Sequence, residues 1–444
     1  MLFDADVEAR PDLAMIQHLQ NTKHLPPTRT LIEGIEAIPP GAVFSLDVGG
    51  QIRRRHRLEM PPLDVAPTMT LDEATTAVRG ALLQAIESRI QGRDKIGIAL
   101  SGGVDSMGLA SACRQTRADL EIHTFTAGAG PEDPEIRRAR YVAERIGAQH
   151  HDVIVGPDHL AEWMPSLVWH LESPIARSET AQFLQVGRAA AQHVDCVLTG
   201  AAADGLFAGM PRHRILWLMN KVPPARTALG EFFALTQSGR PPASLGGRVL
   251  DRLYFRGRVP PVPGIHGAEN KVTLPDFGRY GPEFVNSFMY HGLQNSLAGW
   301  LPKIERTFAA SGIRHLSPFL DREVIALAFT IPSVHKIRRS EQKLVLRRAL
   351  RSILPNELLN APKFPMRMSH EGVFADAMHD LASRVLSKDR VEARGFFDHA
   401  DVGRMMNACA TASFEGVMRL WTAVLTEIWA EIFLDSRGRR PAGG

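Results

Sequence analysis

The sequence is poor in cysteine, with three residues of this type in 444. Cys113, Cys196 and Cys409 lie far apart, mostly among apolar neighbours, and no CxxC pair or Cys/His ligand spacing occurs. A disulfide framework and a cysteine-based zinc site are therefore not supported. We expect all three to be reduced core residues in a reducing compartment.

The sequence also lacks a hydrophobic run of the length that a membrane-spanning helix requires. Its first residues do not show the basic and then apolar segments of a secretory signal. Basic and acidic residues nearly balance, at 52 and 48, and the body of the chain has no basic block that would favour nucleic acid. These absences predict a cytoplasmic protein with neither a membrane nor a nucleic acid as partner.

The most informative stretch is residues 95–110, KIGIALSGGVDSMGLA. Its pattern predicts a short apolar strand, a Ser-Gly-Gly turn and the start of a helix. Glycines let the backbone approach an anion closely, and a helix start presents unpaired N–H groups and the positive end of its dipole. We interpret the loop as a phosphate-binding cradle. Its predicted ligand residues are Ser101, Gly102, Gly103, Asp105 and Ser106.

Asp105 does not fit a pure anion site. A carboxylate beside a bound phosphate is explained if it holds Mg²⁺, which neutralises both groups. The alternative is an ordinary strand-to-helix connection, in which Gly and Ser serve turns and caps. A bare Gly-Gly pair would favour that alternative, whereas the longer pattern favours a nucleotide. The loop is not a Walker A motif, since no Gly-Lys-Ser/Thr follows.

Strand and helix patterns alternate after the cradle and predict an α/β fold with a doubly wound parallel sheet and a helical C-terminal part. Ligands of such sheets lie beyond the carboxyl ends of the strands. We therefore place adenine near Leu100 and Thr126. A second small-residue loop starts at Gly200 and contains Asp204. Asp204 is either a helix N-cap or, as we prefer, a second Mg²⁺ ligand opposite Asp105.

The C-terminal part contributes two candidate lysines. Lys343 lies in residues 341–350, which are predicted to be an amphipathic helix, and Lys363 lies between two prolines. Either lysine has a plain alternative as a surface residue. Residues 221–272 are rich in Pro, Gly and Arg, and we expect a mobile cover or partial disorder there.

Four further motifs follow the cradle along the chain: the LTG…D.LF.G loop at 198–209, SPFLD at 317–321, EQK..LR at 341–347 and the PK lysine at 363. The cradle itself resembles the SGGxDS loop of N-type ATP pyrophosphatases. All five motifs occur in the order found in the asparagine synthetase and β-lactam synthetase family, and the chain resembles that family over roughly residues 76–370. The resemblance implies an adenine nucleotide alpha-hydrolase-like fold.

The resemblance also implies a division of the chain. Residues 1–75, with an EGI…PPG run at 33–41, resemble the last part of a glutamine-hydrolysing domain. Position 2 is Leu2, so we expect a small β-rich remnant without a nucleophile that makes no ammonia. Residues 76–435 would form the ATP pyrophosphatase domain, and residues 436–444 a disordered tail.

Enzymes of this family adenylate a carboxylate with ATP, release pyrophosphate and let an amine attack the acyl-AMP. The resemblance implies that Asp105 and Asp204 hold Mg²⁺, that Lys343 contacts phosphate and that Lys363 neutralises charge in the amide-forming step. A lysine is a compact point charge suited to either role. The cradle residues, with Gly200, would bind pyrophosphate and ATP.

Departures from the family pattern bear on the substrate. Asparagine synthetases have GEGSDE where this chain has Gly-Ala-Ala-Ala-Asp-Gly at 200–205, and β-lactam synthetases have a catalytic tyrosine at Ala201. Asparagine or β-lactam formation is therefore disfavoured. The cyclases that close lasso-peptide macrolactams use the same activation on a peptide carboxyl and need no ammonia. We expect such a ligase, with a small-molecule or peptide substrate and a leader-peptide-binding protein or protease as partner. The rival hypothesis is a non-catalytic binding subunit with a decayed site.

Overall fold

The computed structural model of this chain describes residues 7–22, 25–26, 28–156, 160–174, 179–222, 283–339, 341–360, 371–410 and 414–441. Its strands are β1 Ala42–Leu46, β2 Ile52–Arg57, β3 Lys95–Ala99, β4 Glu121–Gly128, β5 Gln149–Ile154, β6 Cys196–Leu198, β7 Arg314–Leu316, β8 Ile337–Arg338 and β9 Glu341–Gln342. The helices before residue 223 are α1 Leu13–Thr22, α2 Leu71–Ile90, α3 Val104–Thr116, α4 Pro134–Arg145, α5 Leu160–Leu171, α6 Glu179–Ala190, α7 Ala203–Leu206 and α8 Pro211–Met219. The later helices are α9 Phe284–Gly292, α10 Ala298–Ala309, α11 Arg322–Thr330, α12 Leu344–Ala349, α13 Asn356–Leu359, α14 Glu371–Val385, α15 Lys388–Arg394, α16 His399–Ala410 and α17 Phe414–Ala430.

The central sheet has five parallel strands in the order β5-β4-β3-β6-β7. Apolar clusters lie on both of its faces: Ile96 and Ile98 belong to one, and Phe125 and Val197 to the other. The predicted doubly wound α/β fold is therefore confirmed. The strand order reverses between β3 and β6, so the loops that follow these two strands meet at a topological switch point.

The helix before the sheet shows how local sequence specifies its bounds. Thr70 and Glu73 form a capping box at the start of α2. Its buried residues recur at helical spacing and belong to the same apolar cluster as Ile96 and Ile98; they are Ala74, Val78, Leu82, Ala85, Ile86 and Ile90. The helical spacing of the apolar residues in the sequence predicts a helix from Leu71 to Arg89, and the structure confirms it to within one residue.

Two sequence predictions in the C-terminal part were wrong in detail. Strand β7 is not predicted by the sequence, because Arg-His-Leu at 314–316 is only three residues long, has one apolar residue and shows no alternation. The predicted helix over 341–350 begins three residues late, since Glu341–Gln342 pairs with β8 instead. Lys343 then adopts a left-handed conformation with φ of 57° and leads into α12.

Three further predictions concern the cysteines, membrane-spanning helices and the C-terminal tail. Cys113, Cys196 and Cys409 are buried and free, as expected. Among the described residues, no helix is long and apolar enough to cross a membrane. Residues 436–444 were expected to be a disordered tail, and the first part of this segment contacts Trp169. Trp169 Nε1 donates to the Gly438 carbonyl at 2.9 Å, and the Trp169 ring centroid lies 5.4 Å from the Arg440 guanidinium.

Candidate active site

The predicted cradle lies between β3 and α3, at the carboxyl edge of the sheet. Ser106 Oγ donates to the Ser101 carbonyl at 2.6 Å and lies 2.9 Å from Ser101 Oγ. Because a hydroxyl has one proton to donate, Ser106 uses it to hold the shape of the loop. Ser101 Oγ can then donate to Ser106 or to a bound anion.

An arginine from the next helix contacts the cradle. Arg138 of α4 donates to the Gly102 carbonyl at 3.0 Å. A Cβ at Gly102 would lie 3.1 Å from Arg138 Cδ, so glycine permits this close approach. The cation next to the cradle adds positive potential where phosphate is expected. Sequence reasoning missed Arg138, because it follows a different strand.

The second predicted loop lies directly against the cradle. A Cβ at Gly200 would lie 3.0 Å from the Cβ of Asp105, so these loops meet where no larger residue fits without movement. Ala202 has φ of 74° and is the N-cap of α7, which places Asp204 inside the first turn. The alternative of Asp204 as an N-cap residue is therefore excluded.

Lys343 joins the two carboxylates. Its Nζ lies 2.6 Å from Asp204 Oδ1 and also contacts Asp105 Oδ2. The Lys343 side chain is 4% exposed, against 15% for Asp105 and 29% for Asp204. The surface alternative for Lys343 is wrong, since the β8–β9 hairpin turns the residue inward.

The charge state of this cluster follows from its burial and contacts. Burial disfavours the ammonium of Lys343, but the carboxylates of Asp105 and Asp204 outweigh it and raise the pKa of Lys343 above its ordinary value. Lys343 is therefore protonated at neutral pH. Two carboxylates and one ammonium give the trio a net charge of about −1, which favours a further cation.

The donor set fits magnesium. Oxygens of Asp105 and Asp204 converge on a single nitrogen, so they are close enough to share one cation, and carboxylate oxygens are the ligands that Mg²⁺ prefers. Asp105 and Asp204 would hold the ion. When bound there it would neutralise pyrophosphate charge.

The hairpin that carries Lys343 is anchored to the loop after α7. Gln342 Nε2 donates to the carbonyls of Ala208 at 3.0 Å and Met210 at 2.7 Å. Arg347 Nε donates to the Gln342 carbonyl at 3.0 Å. These contacts fix the start of α12 and hence the position of Lys343. Both residues belong to the EQK..LR motif, which could have identified them.

The residues assigned to adenine lie at the expected strand ends. Leu100 and Thr126 are 1% and 2% exposed, and Thr126 Oγ1 donates to the Leu100 carbonyl. The buried Leu100 side chain packs in the apolar core, so only its backbone could face a nucleotide. Adenine binding here stays a prediction. Lys363 and most of the predicted cover over 221–272 lie outside the described residues.

A buried lysine supports the hairpin from behind. Lys336 Nζ donates to Asn286 Oδ1 at 2.7 Å, and its carbonyl accepts from Leu344 N at 3.0 Å. Burial lowers the pKa of Lys336 to about 7, although Glu283 opposes the shift. At neutral pH this side chain is therefore only about half protonated.

Lys336 predicts a pH dependence of stability. Between pH 7 and pH 9 the unfolded lysine keeps its proton while the folded one loses it, so stability rises with pH. The parent should gain about 2 kcal/mol in unfolding free energy over this range relative to Lys336→Met. Urea unfolding at both pH values measures this. Lys388→Met, at an exposed position, should keep the parent's slope; equal slopes in the parent and Lys336→Met would contradict the prediction.

The sequence matches known proteins over most of its length. Residues 77–431 match the sequence profile of the family described as asparagine synthase. A putative glutamine-hydrolyzing asparagine synthetase of Mycobacterium tuberculosis H37Rv is 27% identical over 464 aligned positions, covering 98% of this chain and 69% of that protein. Glutamine-hydrolyzing asparagine synthetase 1 of Bacillus subtilis is 22% identical, covering 98% and 71%. The carboxyethyl-arginine β-lactam-synthase of Streptomyces clavuligerus is 26% identical over 371 positions, covering 80% of this chain and 58% of that protein.

Proposed function

We propose that this chain, which belongs to the asparagine synthase family of ATP-dependent carbon–nitrogen ligases, adenylates a carboxylate on a peptide or small molecule and joins it to an amine of its substrate. The observation that carries the proposal is the cluster of Asp105, Asp204 and Lys343 at the switch point of the sheet. Lasso-type macrolactam closure is the form of the reaction that we favour.

The chemistry has two steps. A carboxylate oxygen of the substrate attacks the α-phosphorus of ATP, and the bond to the β-phosphate oxygen breaks to release pyrophosphate. The amine nitrogen then attacks the acyl carbon, AMP leaves with the oxygen, and the amine loses a proton. Both steps move negative charge onto phosphate or carbonyl oxygens, which fixed cations stabilise.

Residues of this chain have distinct parts in the first step. The loop of Ser101 to Ser106 and the first turn of α3 would bind the departing pyrophosphate, with Arg138 adding positive charge behind Gly102. When a cation binds the two carboxylates that Lys343 now contacts, Lys343 Nζ would contact the phosphate instead. For the second step we propose Lys363 as the cation near the carbonyl oxygen, as the family resemblance implies.

The altered loop supports an amine from the substrate itself. Residues 201–203 are alanines, with no acidic or phenolic group to act as a base. A Cβ at Gly205 would lie 2.5 Å from Leu297 Cδ1, so this position is closed by a packed leucine. An amine that arrives unprotonated in a desolvated site has less need of a general base. A leader-peptide-binding protein or protease would be a partner of such a peptide ligase.

The proposal is tested by ATP–pyrophosphate exchange and mass spectrometry of the products. We expect exchange only when a carboxylate substrate is present. The substrate to use is a peptide with an Asp or Glu side chain and a free N-terminus. Mass spectrometry should then show that this peptide has lost one water. Aspartate with ammonia and carboxyethyl-arginine are the competing substrates. If either were the better substrate, asparagine or β-lactam formation would replace macrolactam closure. If the intact chain bound no ATP, the non-catalytic binding subunit would be the correct description.

A glycine next to the cluster provides a test in the same assay. A Cβ at Gly209 would lie 2.1 Å from both Asp204 Oδ1 and Lys343 Cε, so Gly209→Ala must displace both of these groups or the loop that carries residue 209. We expect exchange to fall about 10²-fold, since misplacing such a group by an ångström has effects of this size. Gly80→Ala is the matched control, because no atom lies within 4 Å of its added Cβ on α2. Unchanged exchange in Gly209→Ala would count against the cluster as the active site.

A further inference from the structure

Three histidines from separate segments meet on one face of the sheet, outside the candidate active site. They are His123 of β4, His151 of β5 and His193 in the connection from α6 to β6. One ring nitrogen from each lies within 4.8 Å of the other two. We call these residues the three-histidine cluster. We propose that it is a binding site for a divalent transition metal of the zinc type.

The fold brings these residues together for identifiable reasons. His123 pairs in register with Gly97 of β3, and a Cβ at Gly97 would lie 2.9 Å from Val194 Cγ2. The absence of a side chain at Gly97 therefore lets the segment of His193 and Val194 approach the sheet. His151 lies on the neighbouring strand opposite Phe125, two register positions further along than His123 and therefore on the same face of the sheet.

A carboxylate orients the ring of the first ligand. Glu121 Oε1 lies 2.8 Å from His123 Nε2, so the Nε2 proton is held there and the lone pair of Nδ1 points away from Glu121. Nδ1 lies 3.0 Å from His151 Nε2. A carboxylate that accepts from the far nitrogen of a metal-binding histidine is a recurrent arrangement at zinc sites.

The dimensions of the cluster are compatible with a tetrahedral ion. With Zn–N bonds of about 2.0 Å, ligand nitrogens in such a site lie about 3.3 Å apart. His123 Nδ1 and His151 Nε2 are already near this separation, at 3.0 Å. The nitrogen of His193 lies within 4.8 Å of the other two, and rotation of the ring about its χ angles would shorten these distances. The His151 and His193 rings are stacked, with centroids 4.2 Å apart and planes at 28°, so a ring must turn to aim its nitrogen at the same ion.

The environment favours a borderline metal over magnesium. His123 is 4% exposed, whereas His151 and His193 are half-buried, so an ion can enter from the side of these two. Phe125 lies beside His151, with ring centroids 4.8 Å apart, and closes the inner side. Neutral imidazoles bind Zn²⁺, Ni²⁺ and Cu²⁺, whereas Mg²⁺ prefers oxygen. Three protein ligands leave a fourth position for water.

Zinc titration of the 444-residue chain, stripped of metal with EDTA, tests the proposal. Isothermal titration calorimetry with ZnCl₂ is performed in excess Mg²⁺, which occupies carboxylate sites such as Asp105 and Asp204. We expect one Zn²⁺ per chain. Removing a ligand in His193→Ala or His151→Ala should weaken binding at least about 100-fold, and Glu121→Gln about 10- to 100-fold. His170→Ala, at another half-buried histidine, should bind as the parent does.

The outcomes separate this proposal from the ligase function. Absence of stoichiometric zinc binding, or unchanged binding in both histidine variants, would overturn the metal site whatever the ligase activity. Circular dichroism checks that each variant is folded. His193 lies outside the β-ladder, so His193→Ala still decides the question if His151→Ala fails to fold. The visible spectrum of the Co²⁺-loaded chain provides a second measurement, with nitrogen-ligated bands expected in the parent and lost in His193→Ala.

Discussion

Asp105→Asn should reduce ATP–pyrophosphate exchange at least about 10³-fold while the protein stays folded. The carboxylate lies in the first turn of α3, next to the loop where pyrophosphate is expected. A negative charge at this point would repel a polyphosphate unless a cation joined the two. Asparagine keeps the shape of the side chain and removes the charge, so metal-assisted binding should be lost without a cavity.

The dependence on magnesium makes this prediction specific. If Asp105 holds the ion, residual exchange in Asp105→Asn should require higher Mg²⁺ than the parent does. Asp119→Asn is the control, because that carboxylate is 73% exposed and pairs only with Arg117 among the partners described for it, at 2.8 Å. Exchange in Asp105→Asn within tenfold of the parent at equal Mg²⁺ would remove Asp105 from the metal site.

The parallel sheet could be predicted because each signal is local. Residues 95–110 contain a strand, a turn and a helix start in one continuous stretch, and the structure has β3 and α3 there. Regular alternation of strand and helix patterns then predicts parallel order. The position of Asp204 opposite Asp105 followed from the rule for strand ends and needed no knowledge of the packing.

The position of Lys343 could not be predicted in the same way. Glu341, Gln342 and Lys343 are good helix formers, and the apolar residues that follow them have helical spacing, so the sequence predicts a helix that begins at Glu341. What breaks that helix is tertiary: Gln342 bonds to the carbonyls of Ala208 and Met210, and Glu341–Gln342 pairs with β8. The resemblance placed Lys343 near phosphate, while its burial between two carboxylates emerged only from the fold.

The three-histidine cluster illustrates a second limit. Its members are separated by 28 and 42 residues, so no ligand spacing is visible in the sequence. The absence of a CxxC or Cys/His motif argued against structural zinc, but that reasoning covers only ligands that are close in the chain. The contact among His123, His151 and His193 depends on the register of β4 and β5 and on the missing side chain at Gly97.

Lys343→Met should remove measurable ligase turnover, at least about 10³-fold, and should also lower the unfolding free energy by about 3 kcal/mol in the absence of Mg²⁺. Methionine keeps the length of the side chain and removes its charge. Asp105 and Asp204 then face each other at a partly buried point without the ammonium between them. Two carboxylates without a counter-ion at such a point lower the unfolding free energy, and they lower it by more than the loss of a surface ion pair does.

Magnesium and the size of the replacement side chain test the cause of that loss. If the two carboxylates bind Mg²⁺ in the folded state only, adding it should restore part of the stability of Lys343→Met by mass action, with a larger increase in Tm than in the parent. Lys343→Arg should also lack turnover although it keeps the positive charge. Lys343 Cε already packs closely against Gly209, and the wider guanidinium does not fit there. Lys388→Met, at an exposed lysine, should stay within about 0.5 kcal/mol of the parent. Normal turnover in Lys343→Met would show that the two carboxylates bind their cation and phosphate without this lysine, and would leave it a purely structural counter-ion.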